Sequence, residues 1–224
     1  MHTHTHVPNQ LGARARARQA FQHPEQGVPV RLRDGSEAVL RPLYAGEDVP
    51  LVAVFDQLSP DSRARRYLVG VPRLTQAMVD ALVGVDGDDH VAWLASIGDR
   101  PVGIARYVRV GPVTAEIALE VADVYQRRGL GTALLDAVTT MACLNGFRQV
   151  EAFVLPGNRA PLNLLEKIGV SMKASGSVLE GRGPLRLLDP PTLDRTAVVA
   201  LATRAVEDER APAEPWPAAV NDGT

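Results

Sequence analysis

Two glycines at the start of a long apolar helix are the residues of this sequence best placed for chemistry. Gly129 and Gly131 follow Arg127 and Arg128, where a helical pattern spanning about 129–145 begins. The first backbone N–H groups of a helix lack partners within it, and the positive end of the helix dipole lies there. Since glycine lets a ligand approach the backbone, the segment favours binding of a phosphate-bearing ligand. A tight turn without a ligand would use the same glycines.

Two other phosphate-binding motifs do not match this segment. A dinucleotide-binding fingerprint needs a third glycine, and Leu134 stands at that place. A P-loop needs Gly-Lys followed by Ser or Thr, which the sequence lacks. Arg127 and Arg128 could add charge-assisted contacts to the phosphates of a different ligand.

Two glutamates precede the glycines on a predicted strand at 114–121. Side chains alternate along a strand, so Glu116 and Glu120 share one face, opposite an apolar face. A carboxylate whose pKa is raised by burial can take the proton of an attacking amine. Either glutamate could be such a general base, and a solvated sheet face is the alternative interpretation for both.

The string Gln126–Gly131 resembles the Q/R-x-x-G-x-G/A signature of the GNAT acetyltransferase superfamily. It joins an acidic strand to a long helix, as that signature requires. A second segment, which starts at Asn158 and continues into a helix closed by Gly169, resembles the asparagine-bearing segment of the same family. The resemblance covers roughly Val28–Leu188 and is most like bacterial protein-lysine acetyltransferases of the Pat type.

This resemblance implies both a fold and an activity. The fold would be of the α/β (α+β) class, with one mixed, mostly antiparallel sheet of about seven strands flanked by helices. The activity would be direct transfer of an acetyl group from acetyl-CoA to a primary amine, either a protein lysine or a small amine. A catalytically weak acyl-CoA-binding regulatory module and a small-molecule amine acetyltransferase are the alternatives.

The resemblance also implies roles for single residues. In the family a glutamate on this strand is the general base; Glu116 best matches that position, and Glu120 is the second candidate. Backbone amides near Val121 and Ala122, freed by a bulge in the strand, would polarise the thioester carbonyl, and Asn158 would contact the pantetheine arm. No metal is expected. The residues expected to contact acetyl-CoA are Val121, Ala122, Val124, Gln126, Arg127, Arg128, Gly129, Leu130, Gly131, Thr132 and Asn158.

One position departs from the family pattern. Many relatives protonate the departing CoA thiolate with a tyrosine seven residues after the asparagine, where this chain has Leu165. Water, the returning base, Tyr125 or Tyr107 would then supply the proton.

A sheet and its helices must position these residues. Hydrophobic periodicity and turn residues predict a hairpin at 28–42, helices at 47–57 and 75–82, and an antiparallel meander of strands at 90–97, 101–110 and 114–121. Beyond the long helix they predict a strand at 149–154, a helix at 160–168, strands at 171–178 and 185–188, and a helix at 192–205. The acceptor cleft is expected along the loop-rich stretch 44–73, with Arg63, Arg65 and Arg66 pointing outward.

Composition bounds the remaining questions. Lys and Arg number 24 against 26 Asp and Glu, and the net charge of −2 argues against general nucleic-acid binding. The single cysteine, Cys143, excludes an intramolecular disulfide. Because no apolar run reaches ~18 residues and no signal peptide is recognisable, we expect no membrane span and a cytoplasmic monomer or homodimer. Segment 1–27 is expected to be a disordered basic tail, 28–205 the acyltransferase domain, and 206–224 a disordered acidic tail rich in Pro and Ala.

Overall fold

The computed structural model describes residues 27–210, with side chains through residue 207. Within that range eight strands form one sheet, and six α-helices flank it. The strands are β1 (Val28–Arg31), β2 (Glu37–Pro42), β3 (His90–Ile97), β4 (Arg100–Gly111), β5 (Thr114–Val121), β6 (Gln149–Val154), β7 (Ser171–Ser175) and β8 (Val178–Pro184). The helices are α1 (Asp48–Asp56), α2 (Pro60–Tyr67), α3 (Gln76–Leu82), α4 (Leu130–Leu144), α5 (Arg159–Lys167) and α6 (Arg195–Arg210).

The sheet is mixed and mostly antiparallel, as the sequence predicts. Its strand order is β1-β2-β3-β4-β5-β6-β8-β7, and among these neighbours the β5–β6 pair is parallel. That parallel pairing is short, because it joins only Thr114–Glu116 of β5 to Gln149–Glu151 of β6. Beyond Glu116 and Glu151 the two strands separate, and an opening forms in the middle of the sheet.

The sheet has eight strands, close to the expected number of about seven, but its last two strands lie at other residues than predicted. The predicted strand at 171–178 ends at Ser175, and the chain turns at Gly176 with a φ of 59° to return as β8. β8 was missed because it lacks an apolar pattern and contains two glycines that close packing requires. A Cβ on Gly181 would lie 2.3 Å from Met172 Sδ. The predicted strand at 185–188 is wrong.

Two hydrophobic layers hold the helices on opposite faces of the sheet. One face packs α4 and α6 against a core that includes Trp93, Tyr107, Val138 and Phe147. The other face packs α1 and α3 against residues of β3 and β4, among them Leu94 and Ile104. The alternation of side chains along each strand therefore sorts the residues of β5 between these two environments.

Helix α2 lies inside the stretch that the sequence predicts to be loops. Ser59 caps it by accepting a hydrogen bond from the Ser62 amide at 3.2 Å, and Pro60 fills its first turn. It ends at Leu68, which adopts a left-handed φ of 62°. The helix has no buried residue, so it carries no apolar periodicity that would predict it. Its last turn brings arginine and tyrosine side chains to β5.

Helix α6 extends beyond the predicted end of the domain at 205. It continues through Arg210, and Val206 packs close to Gly87, where an added Cβ would lie 2.6 Å from a Val206 methyl. Asp136, fully buried in α4, holds the start of α6 by accepting from Arg195 and from Thr192. The assignment of 206–210 to a tail is therefore wrong. The remaining tail segments, 1–26 and 211–224, lie outside the described residues.

No helix among the described residues is long and apolar enough to cross a membrane. Within the same range, no group of three or more His, Cys, Asp and Glu side chains is arranged to hold a metal ion.

Candidate active site

The loop between β5 and α4 has the backbone of an anion cradle. Gly129 precedes the helix with a φ of 100°, which favours glycine, and its carbonyl accepts from the amides of Thr132 and Ala133 at 3.0 and 3.1 Å. The amides of Leu130 and Gly131, earlier in the helix, have no acceptor within it. These two N–H groups and the helix dipole are available to bind an anion.

Two side chains of the loop hold it in place. Gln126 Nε2 donates to the Val121 carbonyl and to Asp123 Oδ1, each at 3.0 Å. Arg128 donates to Asp34 Oδ2 at 2.9 Å and to the Val124 carbonyl at 2.7 Å. The loop is thereby attached both to the end of β5 and to the β1–β2 hairpin.

Arg127 and Gly131 lie at the ligand-accessible side of this loop. Arg127 is exposed and adopts a left-handed φ of 63°. A Cβ added to Gly131 would lie 3.4 Å from Leu164 of α5 and 3.7 Å from Leu119 of β5. Gly131 therefore lies beside the opening that β5 forms where it leaves β6. The glycine keeps that opening wide enough for a ligand chain, which a larger side chain would fill.

The backbone of β5 exposes an amide to the opening without a bulge. Residues Ala115–Val121 pair with β4 in unbroken register, so the bulge expected at this end of the strand is not found there. Ala122 N–H donates to the Val102 carbonyl at 2.8 Å. Because hydrogen bonding alternates along an antiparallel pair, the N–H of Val121 points to the opposite edge of β5, toward the opening. The separation of β5 from β6 therefore leaves a backbone amide free, which is the effect that was expected of a bulge.

Glu116 lies at the last paired position of β5, where the opening begins. It is half-buried, and burial is the main cause that raises the pKa of its carboxyl above the ordinary value. The negative charge of Glu151, its partner on β6, raises this pKa further, whereas the positive charge of Arg66 lowers it. A half-buried carboxylate with a raised pKa has the properties of a general base.

Glu120 occupies a different environment on the same strand face. Its side chain is 1% exposed, lies 3.5 Å from Arg66 Nε and accepts a hydrogen bond from the Tyr67 hydroxyl at 3.3 Å. Burial, and after it the charge of Glu120, raises the pKa of Tyr67. Burial, followed by repulsion from Arg66, lowers the pKa of the neighbouring Arg106 to about 10. Glu120 is therefore part of a buried ionic cluster rather than of a solvated face.

The arginines of α2 do not all point outward. Arg66 reaches inward to Glu120, and its side chain is 14% exposed. The Arg63 guanidinium stacks 4.1 Å from the centre of the Phe55 ring, while Arg65 is exposed. The outward orientation expected for all three is therefore wrong for Arg66 and Arg63. The inward-facing Arg66 could not be foreseen without the helix that carries it.

Beyond the opening, the sheet face that carries Glu116 continues as an acidic surface. Glu151 on β6 and Glu180 on β8 lie on this face, with side chains that are 14% and 29% exposed. Arg182, which is 69% exposed, bridges both carboxylates at 3.2 and 2.9 Å. Glu116, Glu151 and Glu180 carry three negative charges against the positive charges of Arg182 and of Lys173, which lies opposite Glu180 on β7, so this surface favours a positively charged amine.

Four further residues that the sequence suggested for the site are Asn158, Leu165, Tyr107 and Tyr125. Asn158 lies before α5, and its side chain makes no capping hydrogen bond. Leu165 is buried in the core that includes α4. Tyr107 is also buried, donates to the Asp88 carbonyl and accepts from Asn145, so it is not a candidate proton donor. The ring of Tyr125 lies beneath the Arg128 guanidinium.

Fold and site together combine a backbone cradle suited to a phosphate group with a half-buried glutamate at the mouth of an opened sheet. The profile of the acetyltransferase (GNAT) family matches residues 54–170, and the chain belongs to this family. Members of this family use acetyl-CoA as a substrate, and the relatives that match this chain are named acetyltransferases.

Two named relatives and one solved domain are among the proteins to which this chain is similar. Acetyltransferase Pat of Mycolicibacterium smegmatis is 31% identical over 169 residues, which are 73% of this chain and 50% of that protein. An acetyltransferase of Pseudomonas aeruginosa is 31% identical over 143 residues, covering 62% of this chain and 77% of its own length. The solved GNAT domain of S. lividans PAT superposes with a TM-score of 0.67 at 30% identity, covering 72% of this chain and 98% of that domain. The chain thus spans half the length of the M. smegmatis relative.

Proposed function

We propose that this chain acetylates the side-chain amine of protein lysines by direct transfer, with Glu116 as the general base. The observation that carries the proposal is the position of Glu116 at the mouth of the opening, half-buried and with its pKa raised mainly by burial. A lysine ammonium must lose its proton before it attacks, and a base works best when its pKa lies near the working pH. The sequence resemblance to bacterial protein-lysine acetyltransferases of the Pat type, together with the similarity to two proteins named Pat, supports lysine as the acceptor.

Acetyl-CoA would lie along the opening between β5 and β6. Its thioester carbonyl is the electrophile, and its thiolate is the leaving group. The amides of Leu130 and Gly131 would bind the pyrophosphate, with Arg127 at the rim. Asn158 would contact the pantetheine arm. These groups fit such a substrate because the loop presents unpaired amides and the Gly131 position leaves the opening wide.

The carbonyl would be polarised by the Val121 amide, since the Ala122 amide already donates to Val102. Glu116 would accept the proton of the incoming lysine. Glu151 and Glu180 would attract the ammonium to the acidic surface before that proton is lost. Water or protonated Glu116 would return a proton to the thiolate, which is a moderate base because the pKa of a free thiol is about 8.5.

The proposal is tested by steady-state acetylation of a lysine-containing peptide with saturating acetyl-CoA. Glu116→Gln should lower kcat by about 10²–10⁴-fold at neutral pH, as expected for loss of a general base. The comparison variant is Glu151→Gln, the neighbouring glutamate at the same register, which should raise the peptide KM several-fold and lower kcat far less than Glu116→Gln does.

Two results would count against the proposal. A Glu116→Gln variant that keeps wild-type kcat would remove Glu116 from the chemistry. If wild-type protein acetylates a small free amine far better than any lysine peptide, the acceptor is a small molecule and the protein-lysine assignment is wrong.

A further inference from the structure

The buried cluster around Glu120 contains more charge than a structural ion pair requires. Two arginines, Arg66 and Arg106, accompany a single carboxylate, and the Tyr67 hydroxyl adds a fourth polar group. Arg106 is 3% exposed, and its Nη1 donates a hydrogen bond to the Leu82 carbonyl. Within this cluster, Glu120 Oε1, Arg66 Nε and two nitrogens of Arg106 have no hydrogen-bond partner. A fold that only needed packing at this place would be more stable with apolar side chains.

Position distinguishes Arg66 from the other members of the cluster. It comes from the last turn of α2, on the helix layer, and reaches β5 on the face shared by Glu116, Ala118 and Glu120. Arg106 lies on β4 opposite Ala118, within the sheet itself. Arg66 is therefore the cation of the cluster that an element outside the sheet places over the glutamate face.

We propose that Arg66 is a positioning residue for the reaction: its ion pair with Glu120 fixes its guanidinium over the glutamate face of β5, where its charge favours the ionised, proton-accepting form of Glu116. Glu120 then anchors Arg66 instead of acting as a second base. Tyr67 stabilises this ion pair because its hydroxyl donates a hydrogen bond to the Glu120 carboxylate. The proposal rests on Glu116 as the base, and the experiment below separates the two ideas.

The electrostatics around Glu116 agree with this geometry. Arg66 is the cation that lowers the pKa of Glu116, opposing the upward shift caused first by burial and then by Glu151. Arg182 is held between Glu151 and Glu180, so much of its charge is already compensated. The charged and titratable groups on this face include Arg41 on β2, His90 on β3, Arg106 on β4, Glu120 on β5, Glu151 on β6, Lys173 on β7, and Glu180 and Arg182 on β8. Burial, and after it the charge of Arg106, lowers the pKa of His90.

The loss of the Arg66 charge should change the reaction rate in a pH-dependent way. Without the Arg66 charge, the pKa of Glu116 rises further, and a larger fraction of the base is protonated at low pH. The rate should therefore fall at acidic pH and recover at alkaline pH, where Glu116 is ionised in both proteins. A residue that merely held α2 in place would lower the rate at every pH alike.

The experiment measures kcat/KM for a lysine peptide from pH 6 to pH 9 in Arg66→Gln, each value divided by that of wild type at the same pH. The ratio cancels titration of the peptide amine. Arg66→Gln should lose about tenfold at pH 6 and less than about threefold at pH 9. Arg66→Lys keeps a positive charge and should restore most of the loss at pH 6.

Two further variants control for folding. Arg63→Gln removes an arginine of similar exposure from the same helix, one that stacks on Phe55 and does not contact Glu120, so its rate ratio should be flat with pH. If Arg66→Gln folds poorly because Glu120 is left buried without its cation, the double variant Arg66→Gln/Glu120→Gln removes both charges. It should show the same pH-dependent loss.

The last arm repeats Arg66→Gln in a Glu116→Gln background. There the pH dependence of the Arg66 effect should vanish, because the group through which Arg66 acts is gone. A rate ratio that is flat with pH, or a pH dependence that survives in the Glu116→Gln background, would overturn the role of Arg66. The size of the Glu116→Gln loss by itself tests the base, so either idea can fail without the other.

Discussion

Glu116 and Glu151 lie side by side at the last register position that joins β5 to β6, and the two strands separate immediately beyond them. This pair therefore marks the point at which the sheet changes from a closed structure to an opening. Two carboxylates at such a point repel each other, and the charge of Glu151 favours the protonated form of Glu116. The strand topology that creates the opening proposed for acetyl-CoA thus also helps to raise the pKa of the proposed base.

Replacing Glu116 or Glu120 by glutamine should have opposite effects on stability and on kcat. Glu120→Gln leaves Arg66 and Arg106 without their carboxylate in a buried place, and we expect a loss of about 2–4 kcal/mol in the free energy of unfolding. Its kcat should fall by less than about tenfold. Because burial raises the pKa of Glu116, its ionised form destabilises the fold above that pKa, so Glu116→Gln should be neutral or stabilising at pH 8.

Urea unfolding and kcat, measured on both variants, check this contrast. A Glu120→Gln protein as stable as wild type, but slower than Glu116→Gln, would exchange the roles assigned to the two glutamates.

Gly131 should tolerate a methyl group but not a charged side chain. A Cβ at this position would meet its neighbours at 3.4–3.9 Å, which is ordinary van der Waals contact, so Gly131→Ala should fold and bind acetyl-CoA nearly as wild type does. Gly131→Glu places a bulky anion beside the amides proposed to bind pyrophosphate, and binding should fall at least about a hundredfold. Isothermal titration calorimetry with acetyl-CoA compares the two. Equal affinities in two folded variants would place the pyrophosphate elsewhere.

Most of the fold could be predicted from local patterns. β3, β5 and β6 occupy their predicted residues because they alternate or run apolar between clear turns. Thr75 caps α3 by accepting a hydrogen bond from the Met78 amide. The failures share a physical cause. β8 has glycines where neighbouring groups leave no space, and α2 is short with no buried residue, so neither element carries the periodicity from which strands and helices are predicted.

The candidate site was predictable in part for the same reason. The backbone cradle is encoded by neighbouring residues, so Gly129 and its loop could be located from the sequence. Which of two glutamates is solvated depends on Arg66, fifty or more positions earlier, and therefore on tertiary packing. Likewise, an unpaired Val121 amide follows from where β5 leaves β6, a property of the sheet rather than of β5.

The last turn of α6 should contribute to stability. A chain that ends at Ala205 lacks Val206, whose methyl groups pack at Gly87 beside Ala205. Partial exposure of this apolar contact is worth about 1 kcal/mol, or a decrease of roughly 2–4 °C in Tm for a domain of this size. The comparison is with a chain that ends at Arg210, measured by scanning calorimetry. Equal Tm values would show that the packing of Val206 contributes nothing.

Replacing Leu165 by tyrosine should not create a better enzyme. Leu165 is 4% exposed inside the core that includes α4, so a larger ring there must displace packed neighbours, at about 1–3 kcal/mol of stability. Leu165→Phe is the matched control, because it adds the same ring without the hydroxyl. We expect both variants to lose stability to a similar extent and to have kcat values within about threefold of each other, since a thiolate whose conjugate acid has a pKa of about 8.5 can leave without a dedicated acid. Thermal melts and kcat at saturating acetyl-CoA test this. A tyrosine variant about a hundredfold faster than the phenylalanine variant would mean that the hydroxyl reaches the thiolate and that proton delivery limits the native protein.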